Sequence, residues 1–179
     1  MKQILKQDYN ALILKSVKIT AGAILAILFA SCLNLKYSAT AGIITILSIQ
    51  NTKKETIQTA LARGEAFCCA LLVSFLCYNF FGYTTAAFGI YLLIFTTLCL
   101  TMKWSSAIAM DSVLITHFLA EKTMNIPMIT NEISLFVIGA GIGVLLNLSL
   151  RPKENEWKDK MAKADESIRA IIKRMAERI

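Results

Sequence analysis

The sequence predicts an all-α polytopic membrane protein: six transmembrane helices, then a short cytoplasmic amphipathic helix. Three observations predict it. The chain is 56% hydrophobic and only 17% charged, whereas soluble domains carry about 25% charged residues. Its apolar residues gather in six mostly apolar runs, and its Lys and Arg fall almost wholly on one side of those runs. A water-soluble fold this apolar would expose patches it cannot hide. That excludes a soluble enzyme and, despite the net charge of +7, a nucleic-acid binder. The apolar content also excludes a disordered chain. No run alternates with period two, so a membrane β-barrel is excluded as well.

Residues 1–18 read as a cytoplasmic amphipathic segment, and residues 19–152 as the six-helix transmembrane domain. A spanning helix needs about 20 mostly apolar residues. The runs are 19–35, 37–50, 66–81, 84–102, 104–120 and 134–150, the second of them short. Only Lys36 separates the first two, which predicts a tight hairpin. Gly82-Tyr83 turns the third run into the fourth, and Lys103 turns the fourth into the fifth. The stretch 51–65 is polar and helix-prone, and extends its neighbours into water. The stretch 121–132 carries Pro127 and reads as a loop. In the tail, 153–179, the apolar residues Trp157, Met161, Ala164, Ile168, Ile171 and Met175 alternate in steps of four and three. That is a heptad seam, and it must pack on a partner helix or lie on a membrane. The seam reaches Ile179 without a helix stop signal, as expected where a larger cytoplasmic helical domain is missing.

Orientation follows from the cations. Of 19 Lys and Arg, only Lys36 and Lys122 fall on one side of the six runs. The positive-inside bias therefore places both termini in the cytoplasm, and anionic lipid accounts for the basic balance. Phe29-Ala-Ser-Cys32 faintly resembles a lipoprotein cleavage box, but it lacks the leucine and five runs follow, so the first run is expected to stay. Cys32, Cys68, Cys69, Cys77 and Cys99 all lie in apolar runs without C-x-x-C spacing, and His117 is the one histidine. Neither a disulfide framework nor a metal site is expected, and no cofactor. No Walker loop, H-E-x-x-H or G-x-S-x-G occurs, so no ATPase or hydrolase chemistry is expected.

Five features remain. Ser38, Ala41, Thr45, Ser48 and Thr52 share one helix face, which offers a polar path or a close-packing seam. Gly139, Gly143, Asn147 and Arg151 recur at four-residue steps, and Gly139-x-x-x-Gly143 is a helix-contact motif. Asp111 falls near the middle of the fifth run, where a carboxylate is expensive unless paired, protonated or hydrated. His117 lies about 120° around that helix from Asp111 and four residues before Glu121, its expected local partner. Lys18, Lys53, Lys54, Arg63, Lys103 and Arg151 gather at one mouth, where they attract anions or simply anchor the helices. The candidate substrate path is therefore Thr45, Ser48, Lys53, Lys54, Arg63, Asp111, Asn147 and Arg151. The candidate packing and oligomer contacts are Gly139, Gly143, Trp157, Met161, Ile168, Ile171 and Met175.

Residues 37–55, 103–110 and 145–152 together resemble the aromatic acid exporter family of the fusaric-acid-resistance-like superfamily, which includes the plant aluminium-activated malate transporters. Tyr37-Ser-Ala-Thr-Ala-Gly-Ile-Ile-Thr-Ile-Leu-Ser-Ile-Gln50, followed by Asn-Thr-Lys-Lys-Glu55, resembles its second span. Lys103-Trp-Ser-Ser-Ala-Ile-Ala-Met110 resembles its entry to span five, and Leu145-Leu-Asn-Leu-Ser-Leu-Arg-Pro152 its exit from span six. The resemblance covers about residues 10–152. It implies a six-helix membrane domain followed by a cytoplasmic helical domain, dimeric or of higher order. It also implies a transporter or channel-like domain that exports small organic carboxylates, aromatic ones among them, across a bacterial inner membrane. Asp111 departs from the small or apolar residue of many relatives, so the resemblance implies no role for it. The expected partners are the lipid bilayer, a small organic anion and further copies of the chain. A non-transporting membrane assembly module is the alternative.

Overall fold

The computed structural model describes residues 2–49, 53–149, 165–166 and 168–169. Among them no strand occurs, and six helices follow in order: α1 (Lys2–Cys32), α2 (Ala39–Ser48), α3 (Lys53–Phe81), α4 (Thr85–Thr101), α5 (Ile108–Glu121) and α6 (Ile126–Ser149). Three stretches are long and apolar enough to cross a membrane: Lys15–Cys32, Glu55–Phe81 and Ile126–Leu148. Ala39–Ser48 and Thr85–Thr101 are apolar but shorter. Leu25, Phe29, Leu72, Phe75, Leu93 and Val137 all stand exposed. Such a surface suits lipid rather than water.

Several boundaries differ from the sequence reading, each for a local reason. α2 has 10 residues, about 15 Å of helix, half of a hydrocarbon core about 30 Å thick. The chain turns through residues 33–38 rather than at Lys36 alone, with Tyr37 in a left-handed conformation at φ 58°. Trp104 does not open α5, because its N–H closes the end of α4 by donating to the Cys99 carbonyl at 2.7 Å. Asp111 consequently lies in the first turn of α5, not at mid-span. α6 begins at Ile126, eight residues ahead of the expected 134. Asn125 caps it by accepting from the Met128 N–H at 2.9 Å, and Pro127 sits in the first turn, where its missing N–H costs nothing. The expected loop 121–132 is thus largely helical. Of the heptad seam only Ile168 is described, and it is exposed. Trp157, Met161, Ala164, Ile171 and Met175 lie outside the described residues.

The helices form two groups. α1, α2 and α6 pack together, as do α3, α4 and α5, and contacts of α3 with α6 and of α2 with α5 join the groups. α2 and α6 run parallel in one register, with partners 95 residues apart: Lys36 meets Asn131, and Gly139 and Gly143 lie against Ile44 and Ser48. α3 and α6 run antiparallel. Thr56 bonds Asn147 toward one end, Phe67 stacks on Phe136 at the centre, and Ser74 reaches Met124 toward the other.

The second three helices repeat the first three upside down. α1 and α4 both end in a Schellman cap on a left-handed residue, Asn34 at φ 52° and Lys103 at φ 62°. The bonds match: Asn34 and Leu35 N–H donate to Ser31 and Ala30 carbonyls, and Lys103 and Trp104 N–H donate to Leu100 and Cys99 carbonyls. Asn34 and Lys103, Phe67 and Phe136, and Arg63 and Glu132 are all separated by the same number of residues. Phe67 and Phe136 stack at 5.3 Å between centroids and 6° between planes. Two mates that meet face to face mark the pseudo-two-fold axis. The fold is therefore an inverted repeat of three helices whose third helices, α3 and α6, have changed places.

Candidate functional site

Two polar clusters lie at opposite ends of this arrangement, with an apolar centre between them. The centre is built from Ile44, Phe67, Met110, Leu114 and Leu135, each at most 4% exposed, with Phe136 packed against them.

At one end stands Arg63 of α3, buried at 5% exposure. Its Nε donates to the Ser106 carbonyl in the α4–α5 turn at 3.1 Å, and its Nη1 donates to the Leu47 carbonyl at 2.9 Å. Leu47 is in the last turn of α2, whose carbonyls lack intrahelical donors and carry partial negative charge. One guanidinium thus ties α2, α3 and the α4–α5 turn together. Asp111 lies within electrostatic reach of Arg63 but makes no ion-pair contact with it. Its carboxylate is fully buried, and neither oxygen accepts a hydrogen bond among the described residues. The neighbouring Ser112 and Tyr91 hydroxyls are also buried without such a bond.

At the other end α5, α6 and the α1–α2 turn meet. Glu132 of α6 is fully buried. His117 Nδ1 and Glu132 Oε2 share a hydrogen bond at 2.7 Å, and Asn131 Nδ2 donates to Oε1 at 3.0 Å. The Asn131 amide also grips the turn, accepting from the Lys36 N–H at 2.8 Å and donating to the Lys36 carbonyl at 3.1 Å. The Tyr37 ring lies flat on the His117 imidazole, 4.0 Å away and 5° from parallel. Thr40 Oγ1 faces His117 Nε2 at 3.4 Å. One shell out, Lys36 Nζ and the Tyr37 hydroxyl donate to Glu121 at 2.8 and 3.2 Å. Those bonds hold the Glu121 carboxyl below the usual range and the Lys36 ammonium above it. The expected His117–Glu121 pair is therefore replaced: His117 turns inward to Glu132, and Lys36 takes Glu121.

The structure sorts the sequence candidates into groups. Thr45, Ser48, Gly139 and Gly143 come together at the α2–α6 contact. Thr45 donates to the Gly139 carbonyl at 3.0 Å and the Ala41 carbonyl at 2.9 Å, and Ser48 to the Ile44 carbonyl at 2.7 Å. Asn147 donates to Thr56 on α3. Arg63 and Asp111 come together as described. Lys53 and Lys54 open α3, while Arg151 lies outside the described residues. Glu132, Asn131, Thr40, Lys36 and Tyr37 are absent from the sequence candidates. The signal that reveals two of them is Asn125 with Pro127: read as a helix cap and first turn, they place Asn131 and Glu132 inside a helix rather than in a loop.

The same stretch of chain has known relatives. A family model, "Aromatic acid exporter family member 1", matches residues 11–150. YqjA of Bacillus subtilis (strain 168), an uncharacterized protein, is 37% identical over 134 residues, which are 75% of this chain and 42% of that protein. The chain thus spans less than half the length of this relative. No solved structure matches. With the match covering every helix that builds the two clusters, the chain belongs to the aromatic acid exporter family.

Proposed function

We propose that this chain is the membrane domain of a carrier that exports small organic, aromatic carboxylates across a bacterial inner membrane, as part of a homodimer or higher oligomer. All six helices cross the bilayer in this reading, with both termini in the cytoplasm and the Arg63 cluster at the inner end. The observation that carries it is the buried guanidinium of Arg63. A carboxylate leaving water needs a cation that is already desolvated and held in place. Arg63 supplies one, pinned by two carbonyls, with further N–H groups to offer. Lys53, Lys54 and Arg151 concentrate anions at the same mouth. The inverted repeat supports a carrier over an open pore, because related halves can exchange an inward-open for an outward-open form about a site near their axis. Thr45 and Ser48 flank that route on α2.

The test is benzoate efflux from proteoliposomes. Arg63→Gln should slow it at least tenfold, while Lys122→Gln, at the opposite end, should change it less than twofold. Efflux that survives Arg63→Gln sinks the assignment of the site. An absence of flux for a broad panel of organic anions favours a membrane assembly module.

A further inference from the structure

We infer that Arg63 and Asp111 form a two-signed cradle for an aromatic acid that carries an ammonium group as well as its carboxylate. The carboxylate goes to Arg63, and the ammonium to Asp111 with the Ser112 and Tyr91 hydroxyls. The inference rests on the exporter reading above and narrows its substrate to zwitterionic aromatic acids, of which aromatic amino acids are the simplest.

Two opposite charges are buried together here and do not meet. Arg63 is 5% exposed and Asp111 wholly buried. Each lies within electrostatic reach of the other, yet no ion-pair contact joins them. Each also keeps bonding capacity. A guanidinium has five N–H groups, and Arg63 gives one from Nε and one from Nη1 to main-chain carbonyls. Both Asp111 carboxylate oxygens, the Tyr91 hydroxyl and the Ser112 hydroxyl are buried with no hydrogen-bond partner among the described residues. Tyr91 in turn neighbours both Ser112 and Asp111. Buried polar groups are nearly always paired, so four bare oxygens in one place call for a ligand that supplies donors. α3 provides the cation, and α4 and α5 provide the acceptors. The gap between the two signs therefore lies where these three helices pack.

Charge and donor count together select the ligand. A plain anion on Arg63 leaves the Asp111 carboxylate beside it uncompensated in a buried place, which is costly. A ligand with one charge of each sign leaves the whole cluster neutral. An ammonium also brings three donors and no acceptor, which suits four bare acceptor oxygens. A hydroxyl brings one donor and no charge. Its hydrogen bonds to a carboxylate are weaker than those of a charged donor. The carbon body of the ligand has a place as well. Phe67, one turn beyond Arg63 on α3, and Met110, next to Asp111 on α5, belong to one buried apolar cluster. An apolar wall therefore borders both charges, as an aromatic side chain requires. The site is closed to water in this form, and access comes with the exchange of inward-open and outward-open forms.

The first arm is equilibrium binding of labelled L-phenylalanine to the full chain in detergent, with three competitors. In 3-phenylpropanoate the amine is missing, in phenethylamine the carboxylate, and in 3-phenyllactate a hydroxyl replaces the ammonium. Phenylalanine should bind at least tenfold more tightly than each, because a site whose buried polar groups are left unpaired rejects such analogues. Asp111→Asn should lose at least tenfold in affinity for phenylalanine and gain affinity for 3-phenylpropanoate, a crossing that damage to the fold would not produce. If Asp111→Asn does not fold, the wild-type ranking decides, and Ser112→Ala should weaken phenylalanine more than 3-phenylpropanoate. Phenylalanine that does not bind, an analogue that binds as tightly, or an Asp111→Asn chain that keeps the wild-type preference overturns the inference. The second arm is efflux from proteoliposomes, where phenylalanine should leave at least fivefold faster than benzoate. Phenylalanine that moves no faster than benzoate overturns the inference. Failure of both acids to move overturns the exporter reading, while the binding ranking still decides the cradle.

Discussion

Glu121 and Lys36 show how a surface pair and a buried pair divide the work at one end of the molecule. The outer pair is solvated, so it contributes little to stability by attraction alone. Its effect is positional: it holds Tyr37, which lies on His117. The pH range follows from the signs. Glu121 is depressed, chiefly by the Lys36 hydrogen bond, so its contribution is present above the ordinary glutamate value and lost as pH falls through the depressed one. Lys36 is raised, chiefly by Glu121, so its contribution is lost only as pH rises through that raised value. Glu121→Gln should therefore melt slightly below wild type at pH 7, and the difference should vanish toward pH 3. Melting scans in detergent across that range check it, and a difference that persists at pH 3 would show that the charge of Glu121 is irrelevant. None of this pairing was legible from sequence, because Lys36 and Glu121 are 85 residues apart and helical spacing offered His117 the nearer Glu121.

At the scale of an element, the sequence marked two candidate packing faces, one on α2 and one on α6, but not that they meet each other. Gly139-x-x-x-Gly143 and the small-residue face of α2 are two halves of one seam. A Cβ on Gly139 would lie 2.7 Å from the Ala41 carbonyl oxygen and 2.6 Å from Ile44 Cβ. Gly141, between them, has nothing within 4 Å. In a helix interior, glycine to alanine gains about 1 kcal/mol from propensity, whereas overpacking costs about 1–3 kcal/mol. The backbone carbonyl of Ala41 cannot step aside, so the penalty wins at position 139 and not at 141. Gly139→Ala should lower the melting temperature and Gly141→Ala should hold or raise it. Equal shifts would mean the helices are not in contact there. Helix ends were less legible than faces. Caps at Asn34, Lys103 and Asn125 rest on single polar residues rather than on the glycines that sequence reading looks for, so α2, α5 and α6 start elsewhere than hydropathy suggests. Asp111 moved from mid-span to a first turn for that reason.

For the whole molecule, the inverted repeat went unread because it survives in conformation more than in residues. Its sequence traces are few, and the mates at the functional ends are now unlike, Arg63 in one half standing where Glu132 stands in the other. That divergence fits two ends with different tasks, a cation at one and a carboxylate at the other. What stayed alike is the pair on the axis. Phe67 and Phe136 belong to the two exchanged helices and touch where those helices pack. Phe67 is 4% exposed and Phe136 half-buried, so Phe67→Ala should cost more, about 3–5 kcal/mol for a buried ring. Each substitution removes the same stacked contact, so the double variant should lose less than the sum of the singles. A coupling of about 0.5–1.5 kcal/mol is expected for such a pair. Reversible unfolding of the four proteins in detergent measures it. Strict additivity would mean that the rings do not meet and that the axis of the repeat lies elsewhere; sub-additive loss is the result expected if the two mates touch.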